Sequence, residues 1–201
     1  GFELAKENKI SADVVVPIPD SGVSAALGFS QKSSIPFELG IIRSHYVGRT
    51  FIEPSQTIRQ FGVKLKHSVN RSCIEDKRVI LIDDSIVRGT TASKIVKMVY
   101  EAGAKEVHLG ISCPPIKHPD FYGIDTPNYN ELIASKSSIE EMTKLVGAKS
   151  LFFLSLNGTY KAMGYNERNK ELPQFTDHCF TGDYPIDISE ILKINSYNAS
   201  R

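Results

Sequence analysis

The run VILIDDSIVRGTT, from Val79 to Thr91, changes character halfway along. Val79 to Ile82 is continuously apolar and rich in β-branched residues, the composition of a strand covered on both faces. Asp83 and Asp84 end that strand with adjacent carboxylates. Ser85, Ile86, Val87, Arg88, Gly89, Thr90 and Thr91 form a turn, and Ala92 to Glu101 carries a helical pattern closed by Gly103. A buried strand turning directly into a helix is the first half of a strand–helix–strand unit, which implies a mainly parallel sheet with helices on both faces.

The flanking sequence repeats the alternation. Ala12 to Ile18 reads as a strand that ends in Pro-Asp-Ser-Gly, and Gly22 to Gln31 as the helix after it. Phe37 to Ile42, Arg78 to Ile82, Lys105 to Ser112 and Ser150 to Ser155 are the other predicted strands. Ser138 to Gly147 and Leu156 to Met163 are predicted helices, and the first residues read as the inside of another. Arg43 to Asp76 is a long polar stretch, and Cys113 to Pro127 a loop with four prolines. No internal repeat is visible.

The 201 residues suffice for roughly one domain with a core that needs no staples. A net charge of +1 excludes a general polyanion binder, so no nucleic-acid partner is expected. No apolar run reaches the ~18 residues of a membrane span, so no membrane partner is expected either. Three widely spaced cysteines, Cys73, Cys113 and Cys179, with no C-x-x-C pair, argue against a disulfide framework and for a reducing, cytoplasmic location. The five histidines show no metal spacing.

Asp83 and Asp84 lie at the carboxyl end of their strand, the edge where open α/β sheets bind ligands. The Gly89 turn aims backbone N–H groups at one spot, where the helix dipole adds positive charge and Ser and Thr hydroxyls add donors. That is an anion cradle of phosphate size. The carboxylates beside it suit sugar hydroxyls or a hard cation such as Mg²⁺. Together they point to a phosphorylated sugar carrying a metal-bound diphosphate. An Asp-Asp pair by itself is an ordinary polar turn; the whole string between strand and helix is not. A second turn, Asp20-Ser21-Gly22, offers N–H groups to an anion. Six basic residues against one acid, Glu53, make Arg43 to Arg71 a basic loop able to close over diphosphate.

At this point the sequence resembles a known family. VILIDDSIVRGTT is similar to the phosphoribosyl-diphosphate (PRPP) signature of type I phosphoribosyltransferases. PIPDSG at Pro17 to Gly22 resembles the diphosphate loop of the amidophosphoribosyltransferase branch, and Ser44 to Lys66 its flexible loop. EAGAKEVHLGISCPPI, FYGIDTP and CFTGDYP resemble its later segments. The likeness runs over essentially the whole chain.

The resemblance implies a type I phosphoribosyltransferase fold with a small hood, formed by residues 1–201 as one domain, the tail of about 165–201 wrapping it. It implies transfer of the phosphoribosyl group from PRPP to ammonia, giving 5-phosphoribosylamine and diphosphate, the opening step of purine synthesis. Asp20, Ser21, Gly22 and Asp83 to Thr91 are then the substrate-binding set, and Ser21, Asp83 and Asp84 hold Mg²⁺. Arg49, Lys66, Asp83 and Asp84 are the catalytic set. A glutaminase domain or subunit, purine nucleotide inhibitors and a homo-oligomer are implied as partners.

The chain departs from the family pattern in two places. It begins at Gly1, and its first cysteine is the internal Cys73, so glutamine hydrolysis is expected from a missing glutaminase half. Members with an iron–sulfur cluster have Cys where this sequence has Asp120 and Thr176, which leaves Cys179 and predicts no cluster. Cys73 and Cys113 read as small core residues. Two further readings remain: a nucleobase salvage phosphoribosyltransferase, and a PRPP-sensing regulator.

Overall fold

The computed structural model describes residues 1–44, 67–124, 126 and 128–189. The chain opens with α1 (Phe2–Glu7), β1 (Val14–Pro17) and α2 (Val23–Ser33), followed by two short strands, β2 (Ile41–Arg43) and β3 (His67–Val69). Then come α3 (Arg71–Ile74), β4 (Arg78–Asp83), α4 (Thr90–Glu101) and β5 (Glu106–Ile111). A 3₁₀ turn at Tyr129–Glu131 leads to α5 (Ile133–Lys136), α6 (Ile139–Val146), β6 (Ser150–Phe153), α7 (Leu156–Ala162) and α8 (His178–Thr181).

Four strands form a parallel sheet in the order β1-β4-β5-β6. Strand β4 sits between β1 and β5, and side-chain alternation splits its residues between two cores. Val79 and Leu81 face Ile95, Val96 and Val99 of α4 and Met142 and Val146 of α6. Ile80 and Ile82 face Leu4 of α1, Ala26 and Phe29 of α2, and Phe152. All four of these β4 residues are fully buried. Central strands covered on both faces need the continuous apolar run seen at Val79 to Ile82. The central strand therefore carries its last residue, Asp83, to the sheet's rim.

The helix ends follow from local chemistry. Ser138 caps α6 by accepting from the Glu141 N–H at 3.2 Å, and Glu141 accepts from the Ser138 N–H at 2.8 Å. This reciprocal pair satisfies two orphan donors. Gly147 ends the helix in the left-handed conformation. Ser155 caps α7, and Glu7 of α1 accepts from both the Ser155 N–H and its hydroxyl, which ties the first helix to the last strand's exit.

The predicted strand Phe37 to Ile42 is corrected. Phe37 makes only an isolated parallel bridge to Val15, and the regular strand is Ile41–Arg43, paired antiparallel with His67–Val69. The apolar run breaks at Gly40, where a side chain would meet Val16 and Ile74. The polar stretch 43–76 therefore carries β3 and α3, which pattern alone did not reveal. The tail also holds more order than its polarity suggested. Arg168 donates to both Asp177 oxygens and to Asp183, the Tyr160 hydroxyl donates to Asp177 at 2.7 Å, and the backbone of Lys117 and His118 donates to the Cys179 carbonyl. No helix among the described residues is long and apolar enough to cross a membrane.

Candidate active site

A cavity of about 330 Å³ opens at the carboxyl rim of the sheet. Its wall runs without interruption from Asp83 to Ala92 and is completed by Ile18, Pro19, Ser21, Arg43 and His67. It is thus built where β1 and β4 end side by side and where the β2–β3 ribbon leans over them.

Gly89 makes the cradle. Its φ of 75° is the left-handed region that side chains other than glycine enter only with strain, and it turns the chain into α4. Among the described residues no side chain caps the first turn of this twelve-residue helix. Its leading N–H groups are therefore available to an anion, and the helix dipole favours one. Ser85, Thr90 and Thr91 add hydroxyls along the same wall. Arg88 also lines the cavity and is ion-paired with Glu131.

Gly22 sets the second wall. A Cβ on it would lie 2.1 Å from the Ile82 carbonyl oxygen. Only glycine lets the Pro19–Gly22 turn approach the end of β4 this closely. The Pro19–Asp20 peptide is cis. The approach brings the Ser21 hydroxyl within 3.2 Å of Asp83 Oδ1, to which it donates.

Asp83 and Asp84 differ in setting. Asp83 is half-buried, and its Oδ1 accepts from the Asp84 N–H at 2.9 Å as well as from Ser21. Burial pushes its carboxyl up to about 7; the Asp84 carboxylate adds to the rise, and the Asp84 N–H and Ser21 hydroxyl oppose it. Asp84 is exposed and accepts from the Ser85 hydroxyl. Among the described residues neither acid is held in an ion pair. Two carboxylates and a hydroxyl on one wall are hard oxygen donors, the set that suits Mg²⁺. Burial also pushes the nearby Cys113 thiol, which does not line the cavity, up to about 12, with the two acids adding to the rise, so it is a neutral thiol rather than a nucleophile.

The structure gathers Ser21 and Asp83 to Thr91 around one cavity. Asp20 stands outside the lining, on the rim, where Arg43 donates to its carboxylate at 2.6 Å. Gly22 acts through its close approach and does not line the cavity. Arg49 and Lys66, along with His45, lie outside the described residues. The sequence offers Arg43 only as part of the basic loop and His67 only as a loop residue that could touch diphosphate, and the structure puts both on this wall; nothing in a three-residue strand signals that its end leans over another sheet. Of a cluster elsewhere the sequence names Asp120 and Cys179, as positions that are iron–sulfur cluster cysteines in some members of the resembling family, and misses His178. Asp120, His178 and Cys179 bring one oxygen, one nitrogen and one sulfur within 4.8 Å of one another, although no regular spacing connects them. Thr176 is exposed nearby in the chain. Cys73 and Cys113 are half-buried rather than fully interior.

A parallel sheet whose rim joins an uncapped helix N-terminus to paired carboxylates defines an α/β protein with the type I phosphoribosyltransferase fold. The chain belongs to the phosphoribosyl transferase domain family, whose pattern matches residues 3–122. It is 64% identical over 186 residues to the amidophosphoribosyltransferase of Rhizobium etli, covering 92% of this chain and 38% of that protein. It is 52% identical to the Bacillus subtilis amidophosphoribosyltransferase, covering 94% of this chain and 39% of that one. Among solved structures, the glutamine PRPP amidotransferase of B. subtilis complexed with ADP and GMP superposes with a TM-score of 0.83 at 51% identity, over 94% of this chain and 41% of the other. The chain thus spans roughly two fifths of the length of these relatives.

Proposed function

We propose that the chain transfers the phosphoribosyl group of PRPP to ammonia, releasing diphosphate and forming 5-phosphoribosylamine, the first step of purine synthesis. One observation carries this reading: the uncapped N-terminus of α4 and the Asp83–Asp84 pair share the wall of a single cavity. The relatives' names direct it to ammonia rather than to a base.

The 5-phosphate sits in the loop of Ser85 to Thr91, held by backbone N–H groups and hydroxyls. Asp83 and Asp84 accept from the ribose hydroxyls and, with Ser21, would hold Mg²⁺. When bound, Mg²⁺ neutralises charge on the diphosphate and makes it a better leaving group. The Asp20–Gly22 turn presents N–H groups to the diphosphate. As the anomeric C–O bond lengthens, positive charge grows on the ring and negative charge on the diphosphate; Arg49 and Lys66 offset the latter. Ammonia attacks from the opposite face and loses a proton to solvent. Positioning and electrostatics do the work, so no nucleophilic side chain is needed.

Glutamine hydrolysis belongs to a glutaminase domain or subunit. Purine nucleotides, which share the phosphate group, are inhibitors of the same cradle, and the active form is a homo-oligomer. Three unpaired cysteines favour a cytoplasmic location. Residues 1–201 act as one phosphoribosyltransferase domain, the tail fastened through Arg168 and Asp177.

The test incubates the purified chain with PRPP, Mg²⁺ and ammonium at alkaline pH, and in parallel with purine and pyrimidine bases. Diphosphate release that depends on ammonium supports the reading. Release only with a base, or PRPP binding without turnover, rejects it in favour of salvage or sensing.

A further inference from the structure

Two segments distant in sequence meet where the tail packs on the loop after β5. The loop after β5 contributes Asp120, and α8 contributes His178 and Cys179. Asp120 and His178 are 5% and 3% exposed, so each has left water for this contact. His178 Nε2 lies 2.8 Å from Asp120 Oδ2, and the Cys179 Sγ lies 3.5 Å from that nitrogen and 3.8 Å from that oxygen.

The orientation of Asp120 is determined by its other oxygen. Oδ1 accepts from the Tyr122 and Ile124 N–H groups, both at 2.8 Å. That leaves Oδ2 aimed at the imidazole and thiol, the way outer hydrogen bonds orient a metal-ligating carboxylate. The ring of His178 is held in turn by Tyr122, edge-on with centroids 4.9 Å apart, and by Tyr184 at 5.1 Å. His178 Nδ1 is buried with no hydrogen-bond partner among the described residues.

We propose that Asp120, His178 and Cys179 form a mononuclear site for a thiophilic divalent cation such as Zn²⁺, which staples the 113–126 loop to the 177–182 segment. Zinc binds sulfur at about 2.3 Å and nitrogen or oxygen at about 2.0–2.2 Å, so a tetrahedral centre separates its ligand atoms by roughly 3.3–3.6 Å. The Sγ–Nε2 separation of 3.5 Å lies within that span, the Sγ–Oδ2 separation of 3.8 Å must shorten slightly, and the 2.8 Å imidazole–carboxylate edge must open by about 0.5 Å. One oxygen, one nitrogen and one sulfur select zinc-like ions over Mg²⁺. On binding, the S–M bond forms as the S–H bond breaks, and that proton leaves to solvent. The Nε2 lone pair goes to the metal while the ring proton moves to Nδ1. Cys179 is half-buried, which leaves a fourth position for water. The site is distinct from the rim cavity, whose wall contains none of the three residues.

The test strips the full chain with a chelator and titrates it with Co²⁺, an optical stand-in for Zn²⁺. Excess Mg²⁺ keeps the acids at the rim occupied by the harder ion. The expected result is a thiolate-to-cobalt charge-transfer band that saturates at a single ion per chain. The band is lost in Cys179→Ser and kept in Cys113→Ser. A second measurement needs only the wild-type chain: Zn²⁺ slows iodoacetamide alkylation of Cys179 by about tenfold or more, with Cys73 as the unaffected reference. No band in the wild type, a band that survives Cys179→Ser, or alkylation indifferent to Zn²⁺ overturns the proposal.

Discussion

The Ser21 hydroxyl donates to Asp83 Oδ1 across 3.2 Å, joining a turn after β1 to the last residue of β4. The hydrogen bond stabilises the charged carboxylate, against burial that favours the neutral acid.

Burial of Asp83, which this contact only partly offsets, makes binding dependent on pH. The folded-state value of Asp83 is pushed up to about 7 from the ordinary 3.8. Folded protein therefore keeps a proton that the unfolded chain has lost, and the stability this supplies is present in acid and lost as pH rises from about 4 to about 7. Magnesium needs the carboxylate. Calorimetric affinity for PRPP in saturating Mg²⁺ should rise as pH passes 7, and Ser21→Ala should move that midpoint upward. Urea midpoints from pH 5 to pH 8 should fall more steeply in the wild type than in Asp83→Asn. Equal slopes in the two proteins would show that Asp83 is not the group responsible.

Gly89→Ala tests the cradle's backbone. At φ 75° an alanine costs about 1–2 kcal/mol, and its Cβ would lie 3.1 Å from the Ile133 side chain. For a chain of this size that lowers Tm by about 2–8 °C. The helix's first N–H groups shift with the turn, so PRPP affinity should fall as well. Calorimetry of both quantities checks this, and an unchanged Tm would mean that the turn relaxes without strain.

Arg168→Ala tests the fastening of the tail. Arg168 and Asp177 are nearly buried, and burial alone would raise the Asp177 carboxyl. The Arg168 guanidinium, with the Tyr160 hydroxyl and Thr181, outweighs that and holds it below the ordinary range. Removing the guanidinium strands a buried charge, at a cost of about 3–5 kcal/mol. Limited proteolysis should then cut within 165–189 while leaving the sheet intact. Uniform cleavage across the chain would instead make the tail part of the global folding unit.

What the sequence made legible follows from range. Val79 to Ile82 announces a central strand because covering both faces demands an unbroken apolar run, and the rim position of Asp83 follows from it. Ser138 and Glu141 announce the start of α6 because a capping box is local chemistry. The Arg43–Asp20 pair spans 23 positions, and the Asp120–His178 contact spans 58. Neither has a local cause, since each exists only after the sheet has brought separate turns together. Strands of three residues such as β2 and β3 likewise lack enough period to register before they pair.

Asp84→Asn separates ligand chemistry from folding. The side chain is exposed and, among the described residues, makes no ion pair, so stability should change by no more than about 0.5 kcal/mol. The amide keeps the size and loses the charge that a hard cation requires. Affinity for PRPP in saturating Mg²⁺ should drop by about tenfold or more, and the dependence of binding on Mg²⁺ should flatten. Isothermal titration across a Mg²⁺ series, beside a thermal melt, reads both effects. Affinity that matches the wild type at every Mg²⁺ concentration would remove Asp84 from the metal–sugar site and leave the cradle of Ser85 to Thr91 as an anion pocket alone.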